Sequence, residues 1–240
     1  MRTVTLSGLL IGLVLIGCGA DPVIDPGDGG DYSVQVKPAD FVATIDNPWL
    51  PFRPGSRWTY AGREGDRKER IEVLVTDDTR KVMGITATVV REREWLDGRL
   101  VEDTFDWYAQ DHDGNVWYLG EDTREFTEGG GVSTAGAWEA GVDGGLPGII
   151  MLADPRIGEA YRQEYLPGEA EDMAEVIRRG ASVSVPFGSF DRVLVTKEWT
   201  PLEPSVVEQK YYDRGVGLLL EETVRGGSAR IELVHYSPAG

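Results

Sequence analysis

The feature that most constrains this chain is a period-two alternation of apolar and polar residues, recurring over most of its length between Asp-Gly and Gly-rich turns. Successive side chains of a strand point to opposite faces, so such a pattern is satisfied by half-buried β-structure and not by helix. "RIEVLVTD" puts Ile71, Val73 and Val75 on one face, and "VMGITATVVRERE" is a β-branched run that ends in charges. "WLDGRLVEDTFDWYAQDHDGNVWYLGEDTREF" carries two Asp-Gly turns, Asp97-Gly98 and Asp113-Gly114, between strand-like flanks, which reads as a meander of hairpins. Beyond Gly129 to Gly131 the stretch "GVDGGLPGIIMLADPRIGE" reads as irregular and "AYRQEY" as a further strand. Strands then return in "ASVSVPFGSFDRVLVTKEWT", "SVVEQKYYDR", "GVGLLLEETV" and "ARIELVHY". The expected fold class is mainly all-β: an antiparallel half-barrel or barrel-like sheet with one short helix. That helix is placed at "GEAEDMAEVIRR", where Ala170, Met173, Ala174 and Ile177 share a side, with acids first and basic residues last.

The two ends of the chain differ in character. Arg2 precedes a mostly apolar run from Val4 to Ile16, too short to span a bilayer but right for the core of a signal peptide. It closes on Leu15-Ile16-Gly17-Cys18, the pattern of a bacterial lipobox, and Cys18 is the single cysteine of the chain. A lone thiol in an exported protein needs a reason, and acylation through a thioether supplies one. The expected organisation is a lipoprotein signal peptide at 1–17, a lipidated cysteine with a flexible acidic linker at 18–46, and a single β domain at 47–240. Within the linker, "GADPVIDPGDGGD" has no apolar periodicity and reads as a self-repelling tether. Loss of residues 1–17 leaves 23 basic and 41 acidic residues, a formal charge of −18. Such a surface repels nucleic acid, so nucleic acid is excluded as a partner. Acyl chains must therefore hold the protein at the membrane. Gly19 stands where an aspartate would signal inner-membrane retention, which points to the outer membrane in an organism that has one, and otherwise to the outer face of the cell membrane.

In order along the chain, "PFRPGSRWTY", "VMGITATVV", "DWYAQDHDGNVWYLGE", "VSVPFGSFDRVLVTKEW" and "YYDRGVGLLLEE" make up a pattern covering Asn47 to Tyr236. It resembles the TapB-like group of bacterial envelope proteins, and in shape the LolA/LolB-type half-barrels that carry lipids. The resemblance implies a half-barrel at the cell envelope. The chain departs from those carriers in having no long amphipathic helix at the start of the domain.

Residues for catalysis are hard to nominate. His112 and His235 are the only histidines, and neither has a metal-ligand spacing. No Gly-x-Ser-x-Gly elbow marks a nucleophile. Asp111, Asp113 and Asn115 alternate as calcium ligands do, but Gly114 and the missing terminal glutamate fit a hairpin tip instead. The acid pairs Glu102-Asp103, Glu121-Asp122, Glu171-Asp172 and Glu221-Glu222 lie on or beside strands, where adjacent residues point to opposite faces. The chain thus reads as non-catalytic, with no metal and no cofactor. The aromatic residues on or next to strands are the most suggestive set: Trp95, Trp107, Tyr108, Trp117, Tyr118, Trp138, Trp199, Tyr211 and Tyr212. Phe105, Trp107 and Ala109 share one face by alternation. If that face is concave, Phe105, Trp107, Trp117, Trp199 and Tyr211 line an apolar ligand cavity. If the barrel is filled, the same residues form its core. The corresponding functions are a lipoprotein that binds an apolar small molecule, and a structural or assembly lipoprotein that contacts another envelope protein.

Overall fold

A computed structural model describes residues 32–240. The signal peptide, Cys18 and the tether at 19–31 lie outside the described residues. Among these described residues, fifteen strands form one antiparallel sheet. A first meander comprises β1 (Arg57–Glu64), β2 (Arg67–Val82), β3 (Ile85–Leu96), β4 (Arg99–Gln110) and β5 (Val116–Phe126). Short strands follow: β6 (Val132–Ser133), β7 (Trp138–Glu139), β8 (Leu146–Met151), β9 (Ala160–Arg162) and β10 (Glu164–Tyr165). A second meander is built from β11 (Met173–Val185), β12 (Gly188–Trp199), β13 (Val207–Asp213), β14 (Gly217–Arg225) and β15 (Arg230–Ser237). The spatial order is β10-β8-β5-β4-β3-β2-β1-β15-β14-β13-β12-β11-β9, with β6 and β7 also on β5. The last strand thus joins the two meanders by pairing with the first. The sheet's two edges, β9 and β10, are consecutive in the chain and separated by Gln163 alone. The sheet curls until its edges meet at that residue, without a ladder to close it.

Local chemistry explains the turns. Asp97 and Gly98 both have positive φ (50° and 82°), the mark of a type I′ hairpin turn whose twist matches that of its strands. Met83 and Gly84 adopt the same conformation (51° and 82°), a tight turn that the sequence does not signal. Gly62 on β1 is needed for a different reason: a Cβ there would fall 1.9 Å from the Arg230 carbonyl oxygen, so only glycine lets β1 and β15 lie this close.

Two expectations need correction. The segment "GEAEDMAEVIRR" is not helical. From Met173 it is strand, paired with β9 on one side and β12 on the other, and a 3-10 turn at Pro38–Asp40 is the one helical element among the described residues. Met173, Ala174 and Val176 are all buried because both faces of the strand are covered. Register shifts after Val176 and Arg179 break the alternation further. Apolar residues at 170, 173 and 174 thus imitate helical spacing, and pairing on two sides outweighs helix propensity. The stretch read as irregular also contains a strand, β8, in which Pro147 and Gly148 obscure the pattern.

Residues 32–46, grouped with the linker from sequence, pack along the sheet. Tyr32 is buried and its hydroxyl donates to the Pro147 carbonyl at 2.7 Å, while Ile45 joins the core. The following segment closes one end of the curled sheet. Buried Asn47 donates to the carbonyls of Gly114 (2.8 Å) and Leu152 (3.1 Å), and its backbone N–H donates to Gln110 Oε1. The Pro48 carbonyl accepts from the Gly215 N–H at 2.7 Å, which ties the segment to the opposite meander.

Candidate functional site

The strand register decides which side chains face the interior. Val90, Glu92 and Glu94 on β3 stand opposite Asp106, Thr104 and Glu102 on β4. Val75, Val73 and Ile71 continue that face onto β2, and Trp58 and Tyr60 onto β1. From the other meander come Ile231, Glu221, Lys210 and Thr196, each paired with the next on neighbouring strands. The interior holds two adjoining chambers. One, of about 170 Å³, is mainly apolar, with walls that include Leu50, Phe52, Trp58, Ile71, Val73, Leu218 and Ile231. The other, of about 330 Å³, is polar, and its walls include Glu102, Thr104, Tyr118, Glu121, Gln163, Glu164, Asp172 and Glu198. Glu92, Asp106, Tyr108, Ile150 and Lys210 line both, so the chambers share a partition.

The polar chamber concentrates negative charge around one ammonium group. Lys210 Nζ lies 2.9 Å from Glu198 Oε2 and 3.5 Å from Glu221 Oε2. Burial alone would pull its pKa down, but Glu198 and Glu221 together hold the ammonium form well above the ordinary lysine range. The carboxyls are pushed the other way. Burial, with the nearby Glu121 charge, raises Asp106 to about 8, even though its carboxylate accepts a 2.7 Å hydrogen bond from the Tyr118 hydroxyl. Burial likewise raises Glu121 to about 7. Glu92 is raised well above its ordinary value by burial and by Asp106 and Glu102. Glu221 stays raised by burial although Lys210 acts to lower it. Asp172 is hydrogen-bonded to Glu164, and burial raises both. Tyr108 stacks on Tyr118 with ring centroids 4.8 Å apart, and Phe52 packs on Tyr108 (5.2 Å) and Trp58 (5.7 Å). These rings form the boundary between the apolar and acidic parts.

The residues nominated as cavity lining lie elsewhere. Phe105 and Trp107 alternate with Asp106 and so occupy the other face of β4. Arg91 lies over the Phe105 ring, and the Arg80 guanidinium sits 3.9 Å from the centre of Trp107, which edges a separate groove beside Trp138 and Leu166. Trp117 donates to Asp111 Oδ2 at 2.7 Å, packs edge-on against Phe41 and borders a separate groove with Val34 and Val36. Trp199 lies beneath the Lys197 ammonium at 4.2 Å and borders a groove of about 210 Å³ at the end of β12 that shares Asp172, Glu198 and Lys210 with the polar chamber. The Tyr211 hydroxyl donates to Glu222 Oε1 at 2.8 Å, on the face opposite Lys210 and Tyr212. None of the five lines either interior chamber. Tyr108, Tyr118 and Tyr212, from the wider aromatic set, do. Asp111 accepts from the Asn115 backbone and side chain as well as from Trp117, which makes it the organiser of its hairpin turn. His112 Nε2 is 3.2 Å from the Ala39 carbonyl oxygen in the same exposed turn, and His235 is exposed on β15.

Part of the polar row that lines the acidic chamber was within reach of the sequence, though not the concave face it would occupy. Of the adjacent acid pairs, Glu102, Glu121, Asp172 and Glu221 face inward, while Asp103 turns out to a two-pronged ion pair with Arg91 and Glu222 turns out to Arg230. The signal is the row Glu102, Thr104, Asp106, Tyr108 and Gln110 on β4: five polar-capable side chains in strict alternation, on a strand whose other face carries Phe105, Trp107 and Ala109 beyond Asp103.

Comparison with solved structures yields two matches. An exported protein with a YmcC-like fold from Bacteroides fragilis aligns over 79% of this chain and 99% of its own, with 14% identity and a TM-score of 0.48. A lipoprotein from Parabacteroides distasonis aligns over 80% of this chain and 99% of its own, with 11% identity and a TM-score of 0.42. No family model matches the chain, and no curated protein matches it.

Proposed function

We propose that this protein is an exported bacterial lipoprotein, anchored to the cell envelope through Cys18, which shelters a small, partly apolar ligand inside its curled sheet and has no catalytic role. The observation that carries the reading is the pair of adjoining interior chambers. Their volumes, about 170 and 330 Å³, bring the interior into the range of small-molecule sites, which are largely pre-formed and combine apolar walls with a few polar groups. The alternative, an assembly lipoprotein with a filled barrel, has less support because the interior is not filled.

Anchoring is tested at the N-terminus. Cys18→Ser is expected to leave uncleaved precursor or to release the protein into the soluble fraction, with no acyl mass on the mature N-terminus. Unchanged partitioning into the detergent phase in the variant would remove Cys18 as the anchor.

Shelter is tested with N-phenyl-1-naphthylamine, a neutral dye that brightens in apolar surroundings, added to the full chain in nanodiscs with empty discs as the blank. Ile71 lines the apolar chamber, so Ile71→Trp is expected to fill it and weaken dye binding about tenfold or more. Thermal stability should fall by only the about 1–3 kcal/mol of a tight core substitution. Dye binding that is absent, or indifferent to Ile71→Trp, hands the case to the assembly reading.

A further inference from the structure

We propose that the interior takes an organic cation: an amphiphile whose ammonium group sits among Glu92, Glu102 and Asp106 while its hydrocarbon part lies against Trp58, Ile71 and Leu218. This rests on the reading of the interior as a binding site and names the class of ligand.

The first argument is charge. Carboxyl groups from β3, β4, β5, β10 and β12 face the polar chamber, and Lys210 is the one cationic side chain on its wall among the described residues. That ammonium is already engaged by Glu198 and Glu221. The remaining carboxyls must either hold protons or meet a cation from outside, because unpaired buried charge is costly. An incoming ammonium group lets a carboxyl give up its proton to solvent and stand ionised beside a positive charge.

The second argument is independent of charge. Gln163, at the seam between β9 and β10, lines the same chamber and is 4% exposed. Its Nε2 has no hydrogen-bond partner among the described residues. A buried donor left unmade is destabilising, so this amide is set to meet an acceptor brought by a ligand. An ammonium group with a hydroxyl or carbonyl oxygen nearby would satisfy both features.

A bare metal ion fits less well. It needs several oxygens converging at one point, and no group of three His, Cys, Asp or Glu side chains among the described residues is placed to hold one. Dispersed carboxyls beside an apolar wall suit a larger, softer cation. The shared partition of the two chambers supplies the geometry, since Glu92 and Asp106 face both.

The test holds the hydrocarbon fixed and varies the head group. Octylamine, 1-octanol and octanoate are titrated calorimetrically into the full chain in zwitterionic nanodiscs at about pH 7.5, with empty discs as the blank. Octylamine is expected to bind about tenfold or more tightly than octanol, and octanoate more weakly than either. Glu92→Gln and Glu102→Gln should each weaken octylamine about tenfold while leaving octanol unchanged, which also shows that the variants are folded. Equal binding of octylamine and octanol, or equal losses for both in the variants, overturns the cation and leaves the apolar shelter standing. Failure of all three probes overturns both.

Discussion

Replacing Asp106 by asparagine is expected to stabilise the protein near pH 8 and to leave its stability nearly unchanged near pH 4. Burial raises this carboxyl from 3.8 to about 8. A group whose pKa is higher folded than unfolded favours the folded state fully below the unfolded value, and that contribution is lost as pH rises through the folded value. For Asp106 the loss runs from about pH 4 to about pH 8. Asparagine has the same shape, cannot ionise, and still offers an oxygen to the Tyr118 hydroxyl that donates to Asp106 at 2.7 Å. At about 1.4 kcal/mol per decade the upper bound on the gain is about 5 kcal/mol, and water inside the chamber brings the expected value to about 2–4 kcal/mol. Glu69, Glu94 and Glu121, each raised to about 7 chiefly by burial, give the parent protein the same downward slope from mildly acid to neutral pH. Urea unfolding midpoints at the two pH values, read at constant slope, measure the effect. An equal loss at both would show that Asp106 is held ionised by its partners.

Removing the ammonium should do the reverse. Lys210→Met is expected to cost about 3–5 kcal/mol at pH 8, the penalty for leaving buried opposite charges without their partner. The lysine itself stays protonated throughout this range, since Glu198 and Glu221 hold its pKa above the ordinary value despite burial. The pH dependence therefore belongs to the carboxyls. Lys210 acts to lower the pKa of Glu221, Asp172 and Glu92, so its loss lets burial raise them further. As pH falls towards 4 they take up protons, the uncompensated charge disappears, and the deficit should shrink to about 1 kcal/mol. A deficit of constant size from pH 4 to pH 8 would assign Lys210 a packing role instead of an electrostatic one.

The two variants bear on function as well as stability. An interior made only to fill space would have an apolar wall all round, as small barrels commonly do. Here Asp106 and Glu198 are among the buried residues while Glu92 and Glu221 keep surface open to the chambers. A protein that carries such a charge cluster gives up stability at neutral pH, and strain of that kind concentrates at binding sites.

The sequence by itself determined the architecture of strands and turns. Alternation in "RIEVLVTD" put Ile71, Val73 and Val75 on one face, and they line the interior together or cap its wall. Asp97-Gly98 specified a tight hairpin because its two residues tolerate positive φ. Neighbouring acids had to part to opposite faces, and Glu102 and Asp103 do. Such local rules act through the backbone of a few residues, so they survive translation into the fold. What alternation cannot say is which of a strand's two faces becomes concave. On β4 the contrast that would settle it is missing, because Trp107 (4% exposed) and Asp106 (7%) are both buried. The apolar face met other segments, and the polar face met Lys210 from a strand more than a hundred residues away in sequence. Strand β11 shows the same limit, since pairing on both sides turned a helix-like pattern into sheet. The cavity, its charge and the strand state of β11 were decided by contacts between distant segments, whose energies exceed local preference only once the sheet has curled and brought them together.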